Sequence, residues 1–128
     1  MKILLLLAML FSGFTYYATD DDITGIWQIR LPNNITGTIH YRKDSTFVTT
    51  VNKKIFTSGK YTYNDNTITF VEDSGCQDKN AAPLKGAYTI NFFAPDSIQF
   101  ELIYDSCRGR RRDLNHLKLG RVEKSTAK

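Results

Sequence analysis

This sequence predicts an all-β fold, an eight-stranded antiparallel up-and-down barrel, on two observations. From Ile23 onward apolar residues alternate with polar ones, and no long stretch has the 3.6-residue periodicity of a helix. A strand–turn–strand segment also occurs twice, because residues 59–64 (Gly-Lys-Tyr-Thr-Tyr-Asn) and 86–91 (Gly-Ala-Tyr-Thr-Ile-Asn) each precede a turn and an Ile-x-Phe strand. Consecutive hairpins of this kind build an antiparallel sheet. Closing that sheet into a barrel removes its exposed edges, whereas an open two-sheet sandwich is the alternative.

The eight predicted strands are rich in β-branched and aromatic residues, and they cover residues 24–31, 36–43, 46–53, 55–63, 67–72, 86–93, 97–105 and 112–121. Turn-forming residues separate them at 32–34, 43–45, 64–66 and 94–96. Gly59 lies inside the fourth strand and indicates a bend or a bulge there. One connection is long, from residue 73 to about residue 85. The spacing therefore predicts short hairpins with one extended loop.

The chain has room for one domain, which we place at residues 23–122. Residues 1–18 are typical of a secretory signal peptide, since Lys2 is followed by an apolar run at 3–11 that is too short to span a bilayer. Ala18 is a suitable last residue of that peptide. Residues 123–128 are predicted to be a disordered tail. We therefore expect a secreted or periplasmic protein without a membrane span.

The two cysteines are predicted to form a disulfide. Export permits one, and the repeat places Cys76 and Cys107 at equivalent ends of the fifth and seventh strands, hence on one rim. A metal site is not expected, because these cysteines together with His40 and His116 show no recognisable ligand spacing. No cofactor is expected either.

Strand parity assigns an inward face, since residues two apart in a strand share one side. This face mixes aromatic rings, aliphatic side chains and a few hydroxyls, and tyrosine hydroxyls on it are expected to orient a ligand. The predicted ligand-contacting residues inside the barrel are Phe47, Thr49, Tyr61, Tyr88, Ile90, Phe100, Leu102 and Tyr104.

Four short motifs resemble those of a known family. Gly25-Ile26-Trp27, at the start of the first strand, resembles the Gly-x-Trp start of the lipocalins, which belong to the calycins. The elements Gly-x-Tyr, Ile-x-Phe and Asp105-x-Cys107-x-x-Arg110 are similar to those of small bacterial lipocalin-like secreted domains. The resemblance covers about residues 23–121, although the first hairpin loop is shorter than the lid loop of typical lipocalins. It implies a barrel with one open end and one closed end that is plugged by Trp27.

Strand directions place the short turns at 43–45, 64–66 and 94–96 at the closed end and the loops at 73–85 and 106–111 at the open end. At the closed end we expect a cation of the last strand, Arg121 or Lys118, to stack on the indole of Trp27. Gly25, Trp27 and Arg121 are therefore assigned structural roles.

Arginines cluster at residues 108–112, where the last strand is predicted to begin. Arg110 and Arg112 are expected to form a rim that attracts a carboxylate or phosphate head group. A solvated basic turn is the alternative interpretation. Nucleic-acid binding is not expected, because aromatic residues do not alternate with these arginines.

These features predict a secreted binding protein, not an enzyme, because no serine lies in a nucleophile-elbow motif. The expected partner is a small hydrophobic or amphiphilic molecule, with an anionic head if the arginines admit it. Eight-stranded barrels are just wide enough either to hold such a ligand or to be filled by their own side chains. A filled barrel that acts through its rim on another protein, as an inhibitor or an envelope partner, is therefore the alternative function.

Overall fold

The structure, a computed structural model, describes residues 22–124. The predicted signal peptide and residues 125–128 of the predicted tail lie outside the described residues. The strands are β1 Gly25–Leu31, β2 Ile35–Tyr41, β3 Thr46–Val51, β4 Lys54–Asn64, β5 Thr67–Glu72, β6 Gly86–Ala94, β7 Ser97–Asp105 and β8 Lys118–Lys124. A helix, α1 Arg108–Leu114, connects β7 to β8, and a 3-10 turn, Pro32–Asn34, connects β1 to β2.

The strands form one closed barrel in which every strand pairs antiparallel with its sequence neighbours. Pairing of β1 with β8 closes the barrel, with Trp27 opposite Arg121. The predicted all-β up-and-down barrel is confirmed, and the open sandwich is excluded. β8 ends at Lys124, so the sheet extends two residues beyond the predicted end of the domain at residue 122.

The predicted eighth strand, residues 112–121, begins too early. Residues 108–114 form α1, whose main-chain bonds include the N–H of Arg111 donating to the carbonyl oxygen of Cys107 at 2.9 Å. The strand itself starts at Lys118. A two-turn helix is too short to show a helical period in the sequence. Tertiary contacts of its side chains, described below, stabilise it instead.

Trp27 closes one end of the barrel, as the resemblance implied. Its side chain is fully buried, and its indole Nε1 donates to the carbonyl oxygen of Ile23 at 2.8 Å. The guanidinium carbon of Arg121 lies 4.4 Å from the centroid of the indole ring, and its Nε lies 3.2 Å from Oδ1 of Asp96. Of the two cations considered, Arg121 therefore makes the stack, which joins β8 and the β6–β7 turn to the plug.

A continuous series of aromatic rings packs inside the barrel. Consecutive rings lie 5.0 to 6.3 Å apart, and most meet edge to face, the geometry that aromatic pairs favour. The chain of contacts runs through Tyr61, Tyr41, Phe47, Phe70, Tyr88 and Phe100. Side chains thus supply most of the barrel's interior.

Candidate functional site

The open end of the barrel consists of two unlike halves. We call one the roofed half: it comprises the loop at residues 73–85, the helix α1 and the disulfide between them. We call the other the uncovered half: it comprises the turns Pro32–Asn34 and 52–53 with the strand ends beside them. Asn52 and Lys53 both adopt positive φ, 50° and 69°, which produces a tight hairpin turn. The long connections therefore cover one side of the mouth alone.

The predicted disulfide is confirmed. Cys76 and Cys107 are bonded, with their Cα atoms 5.6 Å apart and 31 positions apart in the chain. Cys107 immediately precedes α1, so the bond fixes the start of this helix to the 73–85 loop. The two loops predicted to share the open end are thus covalently joined.

A buried ion pair lies beneath this roof. Arg110 Nε donates to Oδ2 of Asp105 at 2.7 Å, and Arg110 Nη2 donates to Oδ1 at 2.8 Å. Asp105 is 4% exposed and Arg110 is 7% exposed. The Tyr88 hydroxyl donates to Oδ2 at 2.6 Å, and the main-chain N–H of Cys107 donates to Oδ1 at 2.9 Å. Bidentate, charge-assisted bonds of this kind position both partners precisely.

Arg110 also contacts three further residues, on β5 and on the long loop. Its Nη2 donates to the carbonyl oxygen of Leu84 at 2.8 Å, and its guanidinium carbon lies 5.0 Å from the ring centroid of Phe70. Its Nη1 lies 3.9 Å from Oε1 of Glu72 and has no hydrogen-bond partner within residues 22–124. A Cβ on Gly86 would come within 2.7 Å of Asp105 Oδ2, so the strand beside the pair requires glycine. One arginine therefore joins β5, β7, α1 and the long loop.

The cluster perturbs its titratable groups in opposite directions. Burial raises the pKa of the Asp105 carboxyl, but hydrogen bonds from Arg110, Tyr88 and Cys107 outweigh this and hold the pKa below its ordinary value. Burial raises the pKa of Glu72, with Arg110 opposing and Asp105 adding to the shift. Burial and the hydrogen bond to Asp105 raise the pKa of the Tyr88 hydroxyl.

The arginine rim is not formed as predicted. Arg110 lies inside the barrel between two carboxylates, not on the rim in a position to receive an anion. Arg112 is exposed on α1, and its Nε lies 3.1 Å from Oδ1 of the adjacent Asp113. The sequence placed both residues at the start of a strand, and the helix changed their directions.

Most of the predicted ligand-contacting residues are core residues. Phe47, Tyr61, Tyr88, Ile90 and Phe100 are buried and pack against one another and their neighbours. Two of the three hydroxyls expected to orient a ligand are engaged inside the protein: that of Tyr88 by Asp105, and that of Tyr61 by the carbonyl oxygen of Arg42 at 2.6 Å. Burial, with smaller effects of nearby carboxylates, raises the pKa of Tyr61 to about 12. These side chains fill the barrel.

Tyr104 was predicted to face inward, and this is wrong. Pairing of β6 with β7 shifts from Ala87 opposite Tyr104 to Tyr88 opposite Leu102, so Ile103 is the extra residue of a bulge. The bulge reverses the alternation: Tyr104 is 49% exposed, and Asp105 turns inward to meet Arg110. The same irregularity that removed a predicted contact residue thus creates the buried ion pair.

Partly buried aliphatic side chains pack beside the aromatic core, where Ile39 pairs with Trp27 and Leu102 pairs with Tyr88. Three of them lie on the inward face of their strands, one is the last residue of α1 and one lies just after α1, and each packs against the core. We call them the upper apolar cluster: Ile29, Ile39, Leu102, Leu114 and Leu117. Leu102 was predicted as a lining residue. Leu114 and Leu117 fell within the predicted eighth strand and were not among the predicted ligand-contacting residues.

The cluster lies where the sheet is interrupted. β8 pairs with residues 97–99 of β7 and with residues 25–28 of β1, so the upper ends of β1 and β7 extend beyond these pairings. Residues 114–117 occupy this position: the main-chain N–H of His116 donates to the carbonyl oxygen of Phe100 at 2.8 Å. Thr49, also predicted in the lining, pairs with Ile39 of the cluster, and its hydroxyl lies 2.7 Å from that of Thr57.

Two further findings concern the part of the chain that the structure describes. No group of three or more His, Cys, Asp or Glu side chains between residues 22 and 124 is arranged to hold a metal ion. His116 instead faces Glu101, with Nδ1 3.0 Å from Oε2. Across the same residues, none of the helical segments has the length and apolar character needed to traverse a membrane.

Comparison with known proteins finds no match: the sequence matches no protein-family model, no curated protein and no solved structure.

Proposed function

We propose that this protein is an exported, lipocalin-like binding protein that holds a small apolar or amphiphilic molecule at its open end, without catalysing a reaction. The observation that supports this proposal is the upper apolar cluster, whose inward-facing aliphatic side chains are only partly buried. Core positions in a filled barrel are normally fully buried, as Ile68, Ile90 and Ile98 are here. Apolar surface that faces inward and meets solvent is typical of a ligand site.

Binding in this proposal is driven by removing apolar surface from water, at about 25 cal/mol per Å². The ligand enters through the uncovered half, where the connections are short, and contacts α1 and Leu102 opposite. The disulfide and the Asp105–Arg110 pair hold that wall in place before the ligand arrives. A wall ordered in advance reduces the entropic cost of binding.

The favoured ligand has a neutral polar group. Two carboxylates, Glu72 and Asp105, face the guanidinium of Arg110, so the interior cluster carries no excess positive charge to attract an anion. Of the exposed arginines of α1, Arg111 donates from Nη1 to the carbonyl oxygen of Asp105 at 3.5 Å, and Arg112 faces Asp113. An anionic head group thus has weaker support than the sequence indicated.

Export and family membership belong to the same proposal. The disulfide is typical of an oxidising compartment, in agreement with the predicted signal peptide. The closed eight-stranded barrel, the Gly25-Ile26-Trp27 start and the Arg121 stack on Trp27 agree with the lipocalin-like resemblance.

A pair of adjacent tryptophan substitutions tests the site. Leu102→Trp fills the upper apolar cluster, and Ile103→Trp places the same side chain on the exposed bulge next to it. The full chain, purified from its own host, is analysed by native mass spectrometry and then titrated with the neutral probe N-phenyl-1-naphthylamine.

We expect a co-purified small molecule in wild type. Leu102→Trp should weaken probe binding by roughly tenfold, about 1.4 kcal/mol, and Ile103→Trp should bind like wild type. Equal effects of the two variants, with both folded by circular dichroism, would contradict the site.

A filled barrel that acts through its rim on another protein is the second candidate function. The observation that favours it is the continuous packing of aromatic rings inside the barrel. It expects neither a co-purified molecule nor saturable probe binding, so the same two measurements separate the candidates.

A further inference from the structure

We propose that the uncovered half of the open end binds the surface of an anionic lipid bilayer. Its contact residues form what we call the apolar–basic tip: Arg30, Leu31, Lys53, Lys54, Ile55 and Phe56. This inference does not rest on ligand binding, because Ile55 and Phe56, the two most exposed apolar residues of the tip, are not part of the upper apolar cluster.

The β3–β4 hairpin exposes two large apolar side chains side by side. Ile55 and Phe56 are each 73% exposed, the highest values among the exposed large apolar residues from 22 to 122. Pairing moves from Thr49 opposite Thr57 to Thr50 opposite Ile55, so Phe56 is the extra residue of a bulge. A bulge directs successive side chains out of the ordinary alternation. The exposure thus results from a built feature of the hairpin, next to its tight turn.

Basic residues surround these apolar side chains, and acidic residues do not. Residues 52–59 contain Lys53 and Lys54 and no aspartate or glutamate, and residues 30–35 contain Arg30 and no acid. Both lysines and Arg30 are exposed. The nearest acids lie across the β4–β5 pairing: Glu72 faces the cation of Arg110, and Asp73 keeps its charge while it accepts a hydrogen bond from Ser58 Oγ at 2.9 Å.

This combination fits a planar anionic surface. Apolar side chains at the tip of a loop can enter the headgroup region, and adjacent lysines are attracted to anionic lipids by about 1 kcal/mol each. The turns Pro32–Asn34 and 52–53 lie at the same end of the barrel, so one plane can meet both. Leu31, the last residue of β1 and next to the first of these turns, is also exposed.

Matched controls lie outside the apolar–basic tip. Phe93 is a second exposed aromatic residue, 58% exposed, with Lys118 Nζ 5.7 Å from its ring centroid. It lies near the β6–β7 turn at the closed end. Lys79 and Lys85, both exposed in the roofed half, offer a charge change equal to that of the lysine pair in the hairpin.

Sedimentation with vesicles tests the proposal. Vesicles of equimolar phosphatidylglycerol and phosphatidylcholine, and vesicles of phosphatidylcholine alone, are mixed with the full chain in low salt. We expect binding to the anionic vesicles, weaker by at least about tenfold in Ile55→Ser/Phe56→Ser. Lys53→Gln/Lys54→Gln should weaken it by roughly fivefold per lysine. Phe93→Ser and Lys79→Gln/Lys85→Gln should bind like wild type.

Three results would overturn the proposal. They are absence of wild-type sedimentation with anionic vesicles, wild-type binding by Ile55→Ser/Phe56→Ser, and an equal loss in Phe93→Ser. The first result would indicate that the apolar–basic tip binds a protein partner and not a bilayer. The titration with N-phenyl-1-naphthylamine contains no vesicles. Failure of that ligand-binding test and failure of the vesicle-binding test can therefore be told apart.

A tryptophan reporter gives a second measurement that does not depend on stability. Phe56→Trp places an indole at the tip, whereas Phe93→Trp places one at the other end. We expect brominated lipids in anionic vesicles to quench the first indole and not the second. Equal quenching of the two would contradict insertion of the hairpin.

Discussion

The two halves of the open end use opposite chemistry within one barrel. In the roofed half, charged groups are buried: Asp105 and Arg110 are paired beneath a helix and a disulfide-linked loop. In the uncovered half, apolar groups are exposed: Ile55 and Phe56 stand beside a two-residue turn. Both arrangements reverse the usual distribution of polar and apolar side chains.

The comparison separates stability from interaction. A buried ion pair with several hydrogen-bond partners holds the segments that carry it in place. Removing one partner lowers the free energy of unfolding, because the other charge is left buried without compensation. An exposed phenylalanine orders nothing within the chain. We therefore expect substitutions in the roofed half to change the free energy of unfolding, and substitutions in the uncovered half to change binding.

The largest expected effect is that of Arg110→Gln. It leaves the Asp105 carboxylate buried without its cation and removes the bond to the Leu84 carbonyl oxygen. We expect a loss of about 3–5 kcal/mol in the free energy of unfolding, measured by urea denaturation at about pH 7. Arg112→Gln, on the same helix but exposed, should change it by less than about 0.5 kcal/mol. Similar losses in both variants would show that burial of the pair does not matter.

Reduction of the disulfide should have the next largest effect. Cys76 and Cys107 close a loop with a sequence separation of 31, which in the chain-entropy model stabilises by about 3.5 kcal/mol. Urea denaturation with and without a reductant measures the difference. Thiol labelling of the unreduced protein should detect no free cysteine, and two labelled thiols would contradict the bond.

A smaller effect is expected from pH, acting through Glu72. Because its pKa is raised in the folded state, its contribution to stability is present below the ordinary value of 4.5 and is lost as pH rises through the folded value. The advantage of Glu72→Gln over wild type should therefore grow from about pH 4 to about pH 7. Asp105, whose pKa is lowered, has the opposite slope, but it is common to both proteins. Urea midpoints across this range measure the difference, and a constant or shrinking difference would contradict the assignment.

The smallest effect is expected in the uncovered half. Phe56→Ser removes a side chain that is mostly exposed, so the free energy of unfolding should change by less than about 0.5 kcal/mol. Thermal melts followed by circular dichroism measure it. A loss of more than about 2 kcal/mol would mean that the side chain packs within the protein, and the two halves would then differ less than their exposure indicates.

The sequence by itself determined the barrel, its strand order and the disulfide. Alternation, turn residues and the repeated hairpin are local signals, and the repeat alone aligned Cys76 with Cys107. The Gly-x-Trp resemblance predicted that Trp27 plugs the closed end. The last strand contains two cations, Lys118 and Arg121, that were candidates to stack on it. The strands follow from periodicity, the disulfide from the repeat and the plug from a short motif, and each of these signals lies within the sequence itself.

Only the tertiary structure decided the open end. One bulged residue, Ile103, reverses the parity of Tyr104 and Asp105, and alternation in the sequence cannot show an insertion of one residue into a pairing. The two-turn helix at residues 108–114 is stabilised by Arg110, whose guanidinium bonds to Asp105 and the Leu84 carbonyl oxygen and lies beside Glu72. These contacts join segments from different parts of the chain, so the direction of each side chain depends on the packed barrel as a whole.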